Sequence, residues 1–90
     1  MEFEWDQNKA DANLSKHGVS FDEAVTVFDD PLYLDFFDPD HSYDEYRYII
    51  IGQSSDSRLL LVSYTAHGER VRIISARKAT PRERKDYEEG

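Results

Sequence analysis

Ninety residues carry eleven lysines and arginines against nineteen aspartates and glutamates, a formal net charge of −8, and no cysteine. A chain this short buries only about 60% of its unfolded surface, enough for one domain with one modest core, so a large substrate has to dock on its face. The missing cysteines exclude a disulfide framework, a thiolate nucleophile and a Cys-based zinc site, and they suit the reducing cytoplasm. No stretch approaches the roughly 18 apolar residues of a membrane span, and the acidic start MEFEWDQNK is unlike a secretory signal, so no membrane is expected among the partners.

In chain order, residues 3–5 suit a short strand. Asp6 then caps a helix running to about His17, with Gly18 closing it. Ser20-Phe21-Asp22-Glu23 has the form of a capping box, Val19 is placed to staple onto Ala24, and Phe21, Ala24, Val25 and Phe28 recur at helical spacing until Asp29-Asp30-Pro31 stops the helix. The period then changes to two. Residues 32–37, 46–51, 58–65 and 70–78 read as four strands, the last two joined by a tight hairpin at Ala66-His67-Gly68-Glu69. Thr80-Pro81-Arg82-Glu83 is a second capping box and opens a C-terminal helix to about Glu89. The expected class is α+β: two N-terminal helices, a four-stranded antiparallel sheet and one C-terminal helix, all in a single domain over residues 1–90.

Net negative charge by itself argues against nucleic acid, because phosphate binding draws on Lys and Arg. The distribution reverses that inference. Residues 1–57 hold three basic and fourteen acidic groups, whereas residues 58–85 hold eight basic and two acidic ones. Arg70, Arg72, Arg77, Lys78, Arg82, Arg84 and Lys85 all fall on the last strand and last helix, so an acidic protein still presents a basic face. Strict alternation sets Arg72 and Arg77 on opposite faces unless a bulge re-aims one of them. Arg82 and Arg84 stand at the start of a helix, where the dipole disfavours cations; pairing with Asp86 and Glu88 is the local alternative to a binding role. Arg84 and Tyr87 share a helix face that suits phosphate contact plus base stacking, although a tyrosine there equally suits packing. His17 stands beside Lys16 at a helix C-terminus, where the dipole suits a cation, and reads as a proton donor or simply as a cap.

Other templates fail. Asp38, Asp40, Ser42 and Asp44 match the first four ligand positions of a calcium loop, but Tyr43 stands where the sharp turn needs glycine and Ile49 where a bidentate carboxylate belongs. The three histidines are too widely spaced for a helix-borne zinc pair, and neither a nucleophile elbow nor a phosphate-cradling glycine loop is present. No metal or other cofactor is expected.

Phe3-Glu4-Trp5-Asp6, Lys9, Asn13-Leu14, Lys16-His17-Gly18-Val19-Ser20-Phe21, Asp38-Pro39-Asp40-His41-Ser42, Arg47 with Gly52, and Arg72-Ile73-Ile74-Ser75-Ala76-Arg77-Lys78-Ala79-Thr80 with Arg82-Glu83-Arg84 and Tyr87 closely resemble the BrnT family of toxins. The resemblance covers nearly the whole chain. It implies a RelE-like fold and a metal-independent endoribonuclease of a bacterial type II toxin–antitoxin system that cleaves RNA and arrests translation. The implied partners are RNA, a BrnA-like antitoxin that holds the toxin inactive, and a second copy of the chain within the complex. On this reading Arg72 and Arg77 clamp the phosphate and His17 supplies acid or base chemistry, while Lys16, Lys78, Arg84 and Tyr87 hold flanking RNA. The rival class is a non-catalytic protein-binding module of the same fold.

Overall fold

The computed structural model describes residues 1–42 and 44–90; Tyr43, the sixth position of the calcium-like spacing, lies outside the described residues. The described residues form β1 (Glu2–Glu4), α1 (Gln7–His17), α2 (Phe21–Thr26) running into a 3-10 turn (Val27–Asp29), β2 (Leu34–Asp38), a second 3-10 turn (Pro39–His41), β3 (Arg47–Gln53), β4 (Leu59–His67), β5 (Arg70–Lys78) and α3 (Pro81–Glu89).

Local chemistry accounts for the helix ends. Asp6 accepts from the Lys9 amide at 3.1 Å, and Gly18, at φ 68°, donates its amide to the Leu14 carbonyl at 2.9 Å. This left-handed closure is the conformation glycine adopts without a Cβ penalty. Val19 and Ala24 are both fully buried in one cluster, as a hydrophobic staple requires.

The sheet has five strands in the order β1-β5-β4-β3-β2. It corrects the expected four-stranded antiparallel sheet: β1 joins β5 in parallel, aligning Glu2 with Arg70 and Glu4 with Arg72, so the sheet is mixed. A three-residue strand is too short to show a period, and its partner lies almost seventy residues away, beyond the reach of local pattern reading. Opposite charge assists the register, with Arg70 3.3 Å from Glu4 and 3.9 Å from Glu2. The second helix is also shorter than expected, tightening to 3-10 geometry at Val27, which turns that side chain fully into the core beside Phe21 and Ala24.

One sheet face carries the main core. Ile50, Leu60, Val62, Tyr64, Val71, Ile73 and Ala76 pack there against α1, α2 and the first 3-10 turn, each large apolar side chain contributing roughly 1.5–3 kcal/mol. Close approach is enforced at Gly52, where an added Cβ would lie 2.9 Å from Val27 Cγ1 and 3.3 Å from Tyr33 Cβ. On the opposite face, Ile51, Leu59 and Leu61 are covered by Ala79, just before α3, and by Tyr87 of α3, while the described residues leave the rest of that face open.

Two devices shape β5. A bulge at Ile74 breaks the register between β4 and β5: Tyr64 opposes Ile73, but Ser63 opposes Ser75. Beyond β1, Asn13 of α1 takes over the strand's free edge. Its Nδ2 donates to the Ala76 carbonyl at 2.8 Å and to the Val19 carbonyl at 2.9 Å, and its Oδ1 accepts from the Ala76 amide at 3.1 Å. A buried side-chain amide thereby supplies the pair of bonds a sixth strand would make.

Candidate active site

The bulge re-aims the arginines. Val71, Ile73 and Ala76 all point into the core, so Arg72 and Arg77, five positions apart, emerge together on the open face. Across that face, register sets Asp38, Arg47, Thr65 and Arg72 in one row, with Ile49, Ser63 and Ser75 in the next and Ile51, Leu61 and Arg77 in the third. Small serines in the middle row leave a groove of about 260 Å³, lined among others by Asp38, His41, Arg47, Ser63, Ser75 and Arg77.

Each polar group in the groove has a distinct electrostatic state. His41 Nδ1 lies 2.9 Å from Asp38 Oδ2, a pairing made by the short Pro39–His41 turn, and the ring is mostly exposed while the carboxylate is 13% exposed. A carboxylate on Nδ1 orients the imidazole and leaves Nε2 free for proton transfer. Arg47 makes no ion pair among the described residues. Arg77 is held bidentately by Glu83 at 2.8 and 2.9 Å and also donates to the Lys78 carbonyl at 3.2 Å. The Arg77 guanidinium holds the Glu83 carboxyl below its ordinary value, and Glu83 in turn raises Arg77 further above its own. Glu83 also accepts from the Thr80 amide at 2.9 Å, so one carboxylate both closes the capping box and restrains the arginine.

Arg72 binds Glu45 through Nη2, with His67 Nε2 3.8 Å from the same carboxylate. Its Nε and the Thr65 hydroxyl opposite are buried without a hydrogen-bond partner among the described residues. An unpaired donor facing an unpaired hydroxyl is costly in an apolar setting and marks this row as incompletely satisfied.

The other residues singled out in the sequence distribute as follows. Lys16 and His17 line a second groove at the free edge of β5, with Lys9 and Asn13; it meets the first at Ile74 and Ser75, the bulge itself. His17 therefore adjoins the arginine groove without entering it. Lys78 emerges on the opposite face, where its charge helps lower the pKa of Glu23. Arg82 and Arg84 are exposed and form no ion pair with Asp86 or Glu88 among the described residues. Tyr87 is a packing residue: its ring lies against Ile51, Leu59 and Leu61, and its hydroxyl donates to Asp30 at 2.6 Å. That bond raises the phenol to about 12.

His41, Asp38 and Arg47 are the groove residues that residue-by-residue reading passed over. Asp38 and His41 stand at i, i+3, a spacing a 3-10 turn brings onto one side, and the proline between them was the available signal.

The fold and the groove define a class: a small α+β protein with an open sheet face walled by arginines. The sequence profile of a family described as "Ribonuclease toxin, BrnT, of type II toxin-antitoxin system" matches residues 5–83, and the chain belongs to that family. The crystal structure of the Brucella abortus ribonuclease toxin BrnT is similar in fold, with a TM-score of 0.69 at 24% identity over 89% of this chain and 97% of that one. A search of curated proteins finds no match. Among the described residues no helix is long and apolar enough to cross a membrane.

Proposed function

We propose that this chain is a metal-independent endoribonuclease that cuts RNA by attack of a ribose 2′-OH on the adjacent phosphate, arrests translation in the cytoplasm and is neutralised by a BrnA-like antitoxin. The observation that carries the reading is the convergence of Arg47, Arg77 and the Asp38-oriented His41 on one groove, with Arg72 on the same face. Guanidinium groups remain charged and bind phosphate oxygens bidentately, so Arg72, Arg77 and Arg47 suit the charge that develops on the pentavalent phosphorus. A base takes the 2′-OH proton, the new bond closes a 2′,3′-cyclic phosphate, and the departing 5′-oxygen takes a proton from an acid. His41 is the imidazole best placed for one of these transfers. His17, in the adjoining groove, is the second candidate, and Lys16 with Arg84 would hold RNA to either side. Lys78 would reach RNA only around the strand end, and Tyr87 serves by seating α3.

The test is cleavage of bulk RNA by the purified chain in the presence of EDTA. Cleavage that disappears with Arg77→Ala and His41→Ala supports the reading; EDTA-sensitive cleavage, or equal cleavage by wild type and Arg77→Ala, overturns it. The same assay on His17→Ala separates the two histidines.

A second reading, a non-catalytic binding module, is favoured by one observation: both clamp arginines are already engaged by carboxylates, Arg72 by Glu45 and Arg77 by Glu83. Binding of a protein partner through the arginine face, with no cleavage of RNA, would support it.

A further inference from the structure

The outer edge of the sheet and the face that bears Asp35 carry a surface that the RNA reading leaves unused. Strand β2 is the outer edge of the sheet, and no hydrogen bond from the described residues reaches the outward backbone groups of residues 34–37. Exposed sheet edges pair readily, and proteins usually blunt them with lysine, proline or a covering loop. Among the described residues this edge has no lysine, proline or covering loop, and its charged side chains are the acidic Asp35 and Asp38. It is instead flanked by exposed apolar side chains: Leu32, Tyr33, Phe36, Phe37 and Tyr46 are each between 44% and 70% exposed.

Aromatic rings run inward from the edge. Tyr46 meets Phe37 at 5.6 Å between centroids, Phe37 meets Tyr48 at 5.9 Å, Tyr48 stacks on Tyr64 at 5.6 Å, and Tyr64 meets Phe28 at 5.1 Å. Beside this ladder lies a largely apolar groove of about 410 Å³ lined among others by Phe28, Tyr33, Asp35, Tyr64, Ala66 and Glu69. Such a surface excludes random exposure of single apolar residues as its explanation, because the rings are contiguous.

Charge identifies the occupant. Residues 29–45 contain seven carboxylates and no lysine or arginine. Two copies of β2 paired edge to edge would face each other with Asp35 and Asp38, so self-association along this edge is opposed; RNA is repelled for the same reason. On one face of the strand an aromatic ring stands beside a carboxylate, Phe37 with Asp35; on the other, Phe36 is exposed while Asp38 is engaged by His41. The Phe37 and Asp35 face is a site for cationic side chains, which an extended partner presents on alternate residues, leaving the residues between them for the Phe36 face.

We propose that the outer edge of β2, with the aromatic groove beside it, receives an extended cationic segment of another protein, which adds as a further strand. Main-chain bonds supply the pairing, lysine or arginine side chains lie along Phe37 and Asp35 at the Tyr33–Tyr64 groove, and the apolar side chains between them lie against Phe36 on the other face. The proposal is independent of whether the arginine face cleaves RNA.

The test titrates the full chain, labelled for amide NMR, with a short peptide of alternating Lys and Val. The expected result is saturable binding that weakens with salt, with amide shifts centred on residues 33–38. Asp35→Asn, which keeps a hydrogen-bonding partner for Tyr64, and Phe37→Ala should each weaken it at least about fivefold. The exposed pair Glu88→Gln/Glu89→Gln should leave it unchanged. Shifts scattered over all acidic surfaces, equal binding of a peptide whose valines are replaced by proline, or equal losses in the Glu88/Glu89 control would overturn the proposal. So would concentration-dependent pairing of the chain with itself through β2.

Discussion

The same four-residue motif opens two helices of this chain, Ser20 to Glu23 and Thr80 to Glu83, and the two glutamates end up doing different things. At α3 the box closes: Thr80 Oγ1 accepts from the Glu83 amide at 3.2 Å and Glu83 reaches back to the Thr80 amide at 2.9 Å. At α2 only the first half forms, with Ser20 accepting from the Glu23 amide at 3.0 Å. Glu23 turns inward instead, where Arg58 donates to it through Nε at 2.9 Å and through Nη2, and Ser54 donates at 2.7 Å. Arg58 also donates to the Gly18 carbonyl at 3.1 Å, so one knot ties the end of α1, the start of α2 and the β3–β4 turn. A capping motif therefore specifies the helix start, while the nearest guanidinium decides where its glutamate points. Glu23, 7% exposed, belongs to the architecture; Arg77, 38% exposed in its pair with Glu83, stands at the groove mouth where a phosphate can compete for it.

The largest expected effect breaks the comparison on the activity side. If Arg77 stabilises charge on the reacting phosphate, Arg77→Ala lowers the cleavage rate about 10²–10³-fold, the range for removing one preorganised donor. Glu83→Gln weakens the competing ion pair while keeping a capping partner, and should raise cleavage several-fold at limiting RNA. Single-turnover assays of both variants decide the matter: a Glu83→Gln enzyme slower than wild type means that the pair positions Arg77 for catalysis and does not restrain it.

On the stability side the order reverses. Glu23→Ala removes hydrogen bonds to a buried carboxylate and should lower unfolding free energy by about 1.5–3 kcal/mol, whereas Glu83→Gln at the more exposed pair should change it by less than about 1 kcal/mol. Urea titration of both variants measures the difference. Equal losses would mean that the groove pair is as structural as the buried one.

Much of the fold was legible because its signals are local. Asp6 with Gly18, the apolar spacing from Phe21 to Phe28, Gly68 at φ 61° between β4 and β5, and the Thr80 cap each act within a few residues. What escaped depends on distant partners. The parallel seat of β1, the Asn13 bridge to Ala76 and the bulge at Ile74 are set by contacts across some sixty residues or across strands, and no window of sequence contains them. For the candidate site this mattered most at the bulge, since alternation alone separates the two arginines that the bulge unites. Histidine choice depended on the same kind of information: Asp38 and His41 are neighbours in sequence, but only the fold brings Arg47 and Arg77 to them.

Acid should expose the kinship of the two glutamates. Hydrogen bonds from Arg58 hold Glu23, and those from Arg77 hold Glu83, below the ordinary value of 4.5. A depressed folded-state pKa means that the unfolded chain binds the proton first, so the stabilisation is fully present above pH 4.5 and is lost as pH falls through the folded values. Stability measured downward from pH 5 should fall less steeply in Glu23→Gln than in wild type, and Glu83→Gln should flatten the curve by a smaller amount. An unchanged slope in both would place acid sensitivity elsewhere, with Asp30 the next carboxylate held down.

The smallest effect lies at the alkaline end and concerns how α3 is held over the open face. The Asp30 carboxylate accepts the Tyr87 hydroxyl and keeps that phenol protonated to about 12, against 10.0 for a free tyrosine. The raised value means that the bond stabilises the fold fully below pH 10 and is lost as pH rises from there towards 12, because unfolded tyrosine ionises first. Tyr87→Phe should cost about 1 kcal/mol at neutral pH and make the melting temperature fall less steeply between pH 10 and 12. The decline should not vanish, since Tyr64, likewise raised by burial and by Asp35, ionises on the other face of the sheet. If Tyr87→Phe melts as wild type does across that range, α3 is seated by its apolar contacts with Ile51, Leu59 and Leu61 alone. The helix that carries Glu83 to Arg77 would then be held by those contacts and by the Glu83–Arg77 pair, with no contribution from the Asp30 tie.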